Sequence, residues 1–126
     1  MAYSLDREGE LRLKIAETVF TVRYRRPEPP ELIEALVRKM PAGEEAELAQ
    51  RILLANLELG RACLLGIGEG ELRREGRSVS SSPAAPDYRP DWKDLIAELC
   101  PLLLIALGQY LSAAPAFMEE PGLKKS

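Results

Sequence analysis

Apolar residues recur at helical spacing through the middle of the chain. Between Gly43 and Gly66 the sequence GEEAELAQRILLANLELGRACLLG contains no proline, and its apolar side chains repeat at three- and four-residue steps. Glutamates at the start of this stretch suit the positive end of a helix dipole, and glycine suits its end. The pattern predicts one helix of about six turns over the whole stretch.

Two leucines fall on the polar side of this predicted helix. At about 100° per residue, Leu54 and Leu65 lie in the same sector as Arg51 and Glu58. Isolated leucines on a protein surface are ordinary. Alternatively, Leu54 and Leu65 belong to a contact with another subunit or a partner protein. We therefore treat both as candidate partner-binding residues.

Strict alternation of polar and apolar residues predicts two β-strands near the start of the chain. Residues 10–16 and 18–25 alternate in this way and together predict a β-hairpin that packs its apolar side on helices or on a strand of another chain. The other side of the hairpin is basic and carries Arg12, Lys14, Arg23 and Arg25. This basic face is either solvated, where it also discourages edge-to-edge aggregation, or a contact for phosphates or an acidic partner.

Further helical patterns complete the predicted fold. An amphipathic helix is predicted over residues 31–40. Later in the chain Asp91 opens a helix that Pro101 should break, so that a last and almost wholly apolar helix follows it. Trp92 is the only tryptophan and is predicted to anchor either the core or a partner. The fold class is therefore α+β and predominantly α-helical, with a short N-terminal β-hairpin packed on a bundle of about four helices.

Length and composition indicate a single domain. The chain has 126 residues, which is enough for one core of moderate size. Residues 1–9 and 119–126 are predicted to be flexible tails. Residues 68–90 are rich in glycine, proline and serine, and we predict that they form a mobile loop.

Charge and cysteine usage narrow the classes of function. The formal net charge is −3, with 17 basic and 20 acidic residues, so the chain has no overall attraction for nucleic acid or acidic membranes. The sequence has no histidine, and both cysteines lie in apolar helical patterns. Histidine bases and clustered zinc ligands are thereby excluded. We expect no enzymatic activity, no cofactor and no metal site.

One segment raises the question of a membrane. Residues 99–118 are uncharged and long enough for a membrane span, but Pro101 and Pro115 interrupt them. A buried core helix explains the same residues more simply. The first residues are charged and lack the apolar run of a secretory signal. We therefore expect a cytoplasmic protein without a membrane segment.

Taken together, the segments resemble the tail assembly chaperones of long-tailed bacteriophages and related prophages. The resemblance covers residues 10–112, and the stretches that carry it are FTVRYRRPEPPELIEAL, LLANLELGRACLLGIGEG and PDWKDLIAELCPLLLIALGQYL. It implies a non-enzymatic protein in the cytoplasm of the bacterial host that gathers the tape-measure protein while tail-tube subunits polymerise around it. The apolar surplus between Leu99 and Leu111 predicts that the protein also forms a homo-oligomer.

A second hypothesis rests on the basic face of the hairpin. A small nucleic-acid-binding or regulatory module would use Arg12, Lys14, Arg23 and Arg25 to contact phosphates. Tyr24 is the nearby aromatic residue that stacking on a base would require, but its parity places it on the opposite face. Nucleic acid is therefore the less favoured partner.

Overall fold

The computed structural model describes residues 7–113 and shows a three-stranded sheet combined with four helices. In chain order the elements are β1 (Glu8–Ile15), β2 (Thr18–Arg25), α1 (Pro29–Arg38), α2 (Glu45–Cys63), β3 (Leu64–Ile67), β4 (Arg73–Arg74), β5 (Arg77–Ser78), α3 (Trp92–Leu99) and α4 (Pro101–Ser112). An N-terminal hairpin followed by helices confirms the predicted α+β, predominantly helical fold.

The hairpin forms the first two strands of the sheet. β1 and β2 are antiparallel, with residue pairs running from Glu8 opposite Arg25 to Ile15 opposite Thr18. β3 joins the other side of β2, so that the strand order is β1-β2-β3. Alternate residues of β2 are buried against the helices, as the period-two pattern predicts.

The long central helix is shorter than predicted. It ends at Cys63, and Leu64–Ile67 form β3 in place of its last turn. Leu64 is fully buried and Ile67 nearly so, and β2 supplies hydrogen-bond partners for this segment. The prediction that Leu65 shares a helix face with Leu54 is therefore wrong, because a short apolar run has no periodicity that separates helix from strand.

α2 and α4 pack against each other at unusually close range. A Cβ atom added at Gly60 would lie 2.0 Å from the carbonyl oxygen of Leu104, and one added at Gly108 would lie 1.8 Å from that of Asn56. These paired positions show that the two helices run antiparallel. Backbone contacts backbone at both glycines, so no side chain fits between the helices at these positions.

α4 lies in the centre of the core. Leu103, Leu104 and Leu107 are buried to 1% exposure or less, which is why this helix is apolar on most of its sides. Within residues 7–113 no single helix is long and apolar enough to cross a membrane. α3 and α4 together meet the criteria of length and composition, but they are bent by 99° where Cys100 separates them.

The polar segment 68–90 contributes to the core. Leu72 and Val79 are buried there, and the short β4–β5 hairpin lies between them. Ser80 is also buried and donates a hydrogen bond to Glu69. The composition of this segment gave no sign of these contacts, while its mobility stays a prediction. The predicted tails lie mainly outside the described residues, although Glu8 and Gly9 belong to β1.

The close contact of the helices predicts the effect of adding a methyl group. Ala in place of Gly ordinarily stabilises a helix by about 0.5–1 kcal/mol. We expect Gly108→Ala and Gly60→Ala instead to lower the free energy of unfolding by about 2–4 kcal/mol, because the new Cβ would collide with backbone. Gln109→Ala, exposed on the same helix, is the control and should change it by less than about 0.5 kcal/mol. Urea denaturation gives these values, and a stabilised Gly108→Ala variant would contradict the contact.

The β1–β2 turn predicts a stabilising substitution. Ala16 has a φ of 55°, in the left-handed region that favours glycine. We expect Ala16→Gly to raise the free energy of unfolding by about 1 kcal/mol. Glu17, the other turn residue, has no positive φ, so Glu17→Gly should lower it instead. Thermal unfolding of both variants tests the turn, and equal effects would show that the conformation of Ala16 is not strained.

Candidate functional site

The apolar side of α1 is wider than the part that the core covers. Ala35 is buried, and Leu32 and Leu36 are half-buried beside it. Ile33 and Val37 are 60% and 58% exposed at i and i+4 of α1, and Met40, two residues beyond the end of the helix, is 59% exposed. This set, called the outer stripe here, points away from the core, because Ile33 and Val37 lie about 160° from Ala35 around the helix.

The beginning of α1 is held in place by a capping box and an ion pair. Glu28 and Glu31 exchange side-chain hydrogen bonds with each other's backbone amides, and Pro29 and Pro30 occupy the first turn. Both carboxylate oxygens of Glu31 also accept hydrogen bonds from Arg25, each at 2.8 Å. The guanidinium, together with the Glu28 amide, lowers the pKa of Glu31 to about 2. The end of β2 is thereby tied to the start of α1.

The end of α1 is tied to both other long helices. Arg51 of α2 donates a hydrogen bond to the Met40 carbonyl oxygen at 3.0 Å. The ammonium of Lys39 donates to the hydroxyl of Ser112 on α4, and Ser112 donates to the Gly108 carbonyl oxygen at 2.8 Å. Burial lowers the pKa of Lys39. Because both of its ends are fixed, α1 presents the outer stripe as a preformed surface.

A shallow groove separates α1 from α2. Its volume is about 170 Å³, and an Arg38–Glu58 ion pair of 2.6 Å bridges the two helices at the groove. Ala55, Leu59 and Ala62 supply its apolar lining. The groove is too small for most drug-sized ligands, for which pockets of about 300–1,000 Å³ are usual. An extended surface, and not a cavity, is the prominent feature of this side of the molecule.

The three predicted partner-binding residues lie on three different elements, α2, β3 and α3. Leu54 is 44% exposed on α2, next to the exposed Leu53. Leu65 is half-buried in β3. Trp92 is 8% exposed and belongs to the hydrophobic core, where Lys93 lies 5.9 Å from the centre of its ring. Of the three, Leu54 has the most exposed side chain.

The basic face of the hairpin also carries acidic residues. Glu10 lies directly opposite Arg23, and Glu8 lies opposite Arg25, which is already paired with Glu31. Arg12 and Lys14 are exposed on the same face. The face is therefore of mixed charge and not a uniformly basic strip, because the predicted first strand left out Glu8 and the prediction considered the basic residues alone.

The two cysteines differ in their burial. Cys63 is fully buried, and this burial raises the pKa of its thiol. Cys100 is half-buried between α3 and α4. Among the described residues there is no group of three or more metal-binding side chains that could hold a metal ion.

Comparison of the chain with protein-family models, with curated proteins and with solved structures finds no match.

The ion pair that positions α1 predicts a pH dependence. The folded-state pKa of Glu31, about 2, lies below its ordinary value of 4.5, so the pair stabilises the fold at neutral pH. This contribution should be lost as the pH falls from about 4.5 to about 2. At pH 7 we expect Glu31→Gln to lower the free energy of unfolding by about 1–2 kcal/mol, and near pH 2 the difference from the natural chain should vanish.

Glu34→Gln provides the matched control for this measurement. Glu34 lies on the same helix, is exposed, and forms no ion pair with any residue in the range 7–113. Its substitution should leave the pH dependence unchanged. Denaturant unfolding at several pH values compares the two variants, and an equal response of both would contradict a special role for Glu31.

Proposed function

We propose that this protein is a non-enzymatic assembly factor that binds a helical segment of another protein through the outer stripe of α1. The observation that carries the proposal is the exposure of Ile33 and Val37 on a helix that is fixed at both ends, with Met40 exposed just beyond its C-terminal end. Large apolar side chains lined up on a surface mark contact sites more often than single ones do.

The spacing of the stripe favours a helix as the partner. Ile33 and Val37, at i and i+4, form a short ridge that Met40 extends beyond the helix end, and such a ridge packs against the apolar side of a second helix. Glu34 and Arg38 flank the ridge on one side and would supply a polar rim. A partner that repeats amphipathic helices would offer many such sites along its length.

The bacteriophage tail offers a partner of this kind. In the setting that the sequence resembles, the partner is the tape-measure protein, a long chain that must stay soluble while tail-tube subunits polymerise around it. An exposed apolar ridge on a small protein would cover the apolar sides of that chain. We therefore propose a tail assembly chaperone acting in the cytoplasm of the bacterial host. Its gene should lie between the genes for a tail-tube protein and a tape-measure protein, and a location among unrelated metabolic genes would contradict this.

Nucleic-acid binding is less well supported by the geometry. Glu8 and Glu10 stand among the basic residues of the hairpin and would repel phosphates. Arg25 is engaged by Glu31. The other three basic residues of that face, Arg12, Lys14 and Arg23, form no ion pair among residues 7–113.

A charged substitution at an exposed apolar residue tests whether that residue lies in the contact with the partner. We expect Val37→Glu to weaken binding of the co-expressed tape-measure protein by about tenfold or more, because a charge would be buried in the contact. Leu102→Glu is the control, since Leu102 is equally exposed but lies on α4. Both variants should keep the unfolding free energy within about 0.5 kcal/mol of the natural chain. Affinity measured by titration tests this, and equal losses in both variants would place the contact elsewhere.

A further inference from the structure

β1 is an edge strand of eight residues with one open side. It pairs with β2 on its inner side, and no strand of the described chain pairs with its outer side. Natural proteins usually shorten, bend or cover such edges, because open backbone groups invite pairing with another chain. The length and regularity of β1 therefore call for an explanation.

The direction of the open backbone groups follows from the hydrogen bonds of Thr21 on β2. Its amide donates to Glu71 at 2.6 Å and its carbonyl oxygen accepts from the Gly68 amide at 2.9 Å, both on the β3 side. Arg12, the residue opposite Thr21, must then direct its own amide and carbonyl away from β2. Since the pattern alternates, the open backbone groups of β1 belong to Glu8, Glu10, Arg12 and Lys14.

The side chains of these four residues have a self-complementary order. All four are exposed, and along the strand they run acid, acid, base, base. Within residues 7–113 none of them forms an ion pair. When such a strand meets a second copy of itself in the antiparallel direction, one register exists in which every acid faces a base.

We propose that the outer edge of β1 is a homodimer interface in which two copies pair antiparallel about a two-fold axis at Leu11. In this register Glu8 faces Lys14 of the second copy, and Glu10 faces Arg12 of the second copy. All four cross-strand pairs then have opposite charge. The contact is isologous, as in most homodimers.

No other register that keeps open backbone groups opposite each other gives this result. Moving the axis to Glu10 places two glutamates opposite each other, and moving it to Arg12 places two arginines opposite each other. Axes at Gly9 or Leu13 bring like charges together as well. The charge order along β1 therefore selects one register.

The inner face of the paired strands supports the same register. Leu11, Leu13 and Ile15 are half-buried and pack at the margin of the core. Pairing would place Leu11 against Leu11 of the second copy and Leu13 against Gly9 of the second copy. The half-buried leucines would lose further contact with water, and the two sheets would form one continuous six-stranded sheet.

Charge reversal on the full chain tests the interface. Sedimentation equilibrium should show a dimer for the natural chain and, for Glu10→Arg or Arg12→Glu alone, a dissociation constant raised by about tenfold or more. The double variant Glu10→Arg/Arg12→Glu should dimerise like the natural chain. An equimolar mixture of the two single variants should form a heterodimer, since one chain then offers two bases and the other two acids.

A cysteine cross-link tests the register independently of charge. In a Cys100→Ser background, Leu11→Cys places two thiols opposite each other at a non-hydrogen-bonded pair, about 4.5 Å apart between Cα atoms, and should give a covalent dimer on oxidation. Leu13→Cys is the control, because the two copies of position 13 would be about 13 Å apart and should not cross-link.

Three results would overturn the proposal. The first is a natural chain that stays monomeric at every concentration. The second is a dimer whose dissociation constant is unchanged in both single charge variants. The third is a dimer abolished by Val37→Glu and unaffected by Arg12→Glu, which would place the interface on the helices. The inference does not rest on the proposed function, since dimerisation is measured without any partner.

Discussion

The backbone contact between α2 and α4 is the constraint on which the rest of the structure depends. Gly60 and Gly108 let the two helices approach until carbonyl oxygens of each reach the other. α4 contributes three fully buried leucines to the core. α2 continues without a loop into β3. The position of α2 therefore decides where β3 joins the hairpin, and so where the sheet closes over the core.

This contact also explains why the apolar side chains of the outer stripe are exposed. With α2 and α4 packed so closely, α4 fills the centre of the core, and α1 buries only a narrow strip around Ala35. The outer stripe then remains on the surface, fixed by the Arg25–Glu31 pair at one end of α1 and by Arg51 at the other. The surface that we propose for partner binding is thus a consequence of how tightly the core is built.

The sequence predicted the features that depend on local periodicity. The hairpin follows from strict alternation, and the helices follow from apolar spacing and from Pro101. Periodicity could not locate the end of α2, because Leu64 and Leu65 continue a helical pattern while β2 offers them strand partners. Tertiary contact also decided the burial of Leu72 and Val79, in a segment whose composition resembles a loop.

The candidate surfaces were predicted less completely than the fold. The sequence places Ile33, Val37 and Met40 on the apolar side of the helix predicted over residues 31–40, but only the packing shows that the core leaves them uncovered. A glycine inside a helical pattern ordinarily weakens the prediction of a helix, but Gly60 and Gly108 also allow two helices to approach closely, and the sequence alone does not pair them. On the hairpin, the predicted first strand began at Glu10, so the full order of two acids and two bases along β1 became visible only with its observed start at Glu8.

Hydrogen exchange of the full chain over a range of protein concentrations is the most direct test, because it reports both on the α2–α4 contact and on the pairing of β1 with a second copy. Amides around Gly60 and Gly108 should be protected at every concentration, whereas the amides of Glu10 and Arg12 should exchange rapidly in dilute solution and slowly in concentrated solution. Edge amides that exchange rapidly at every concentration, or rapid exchange around Gly60, would contradict this prediction.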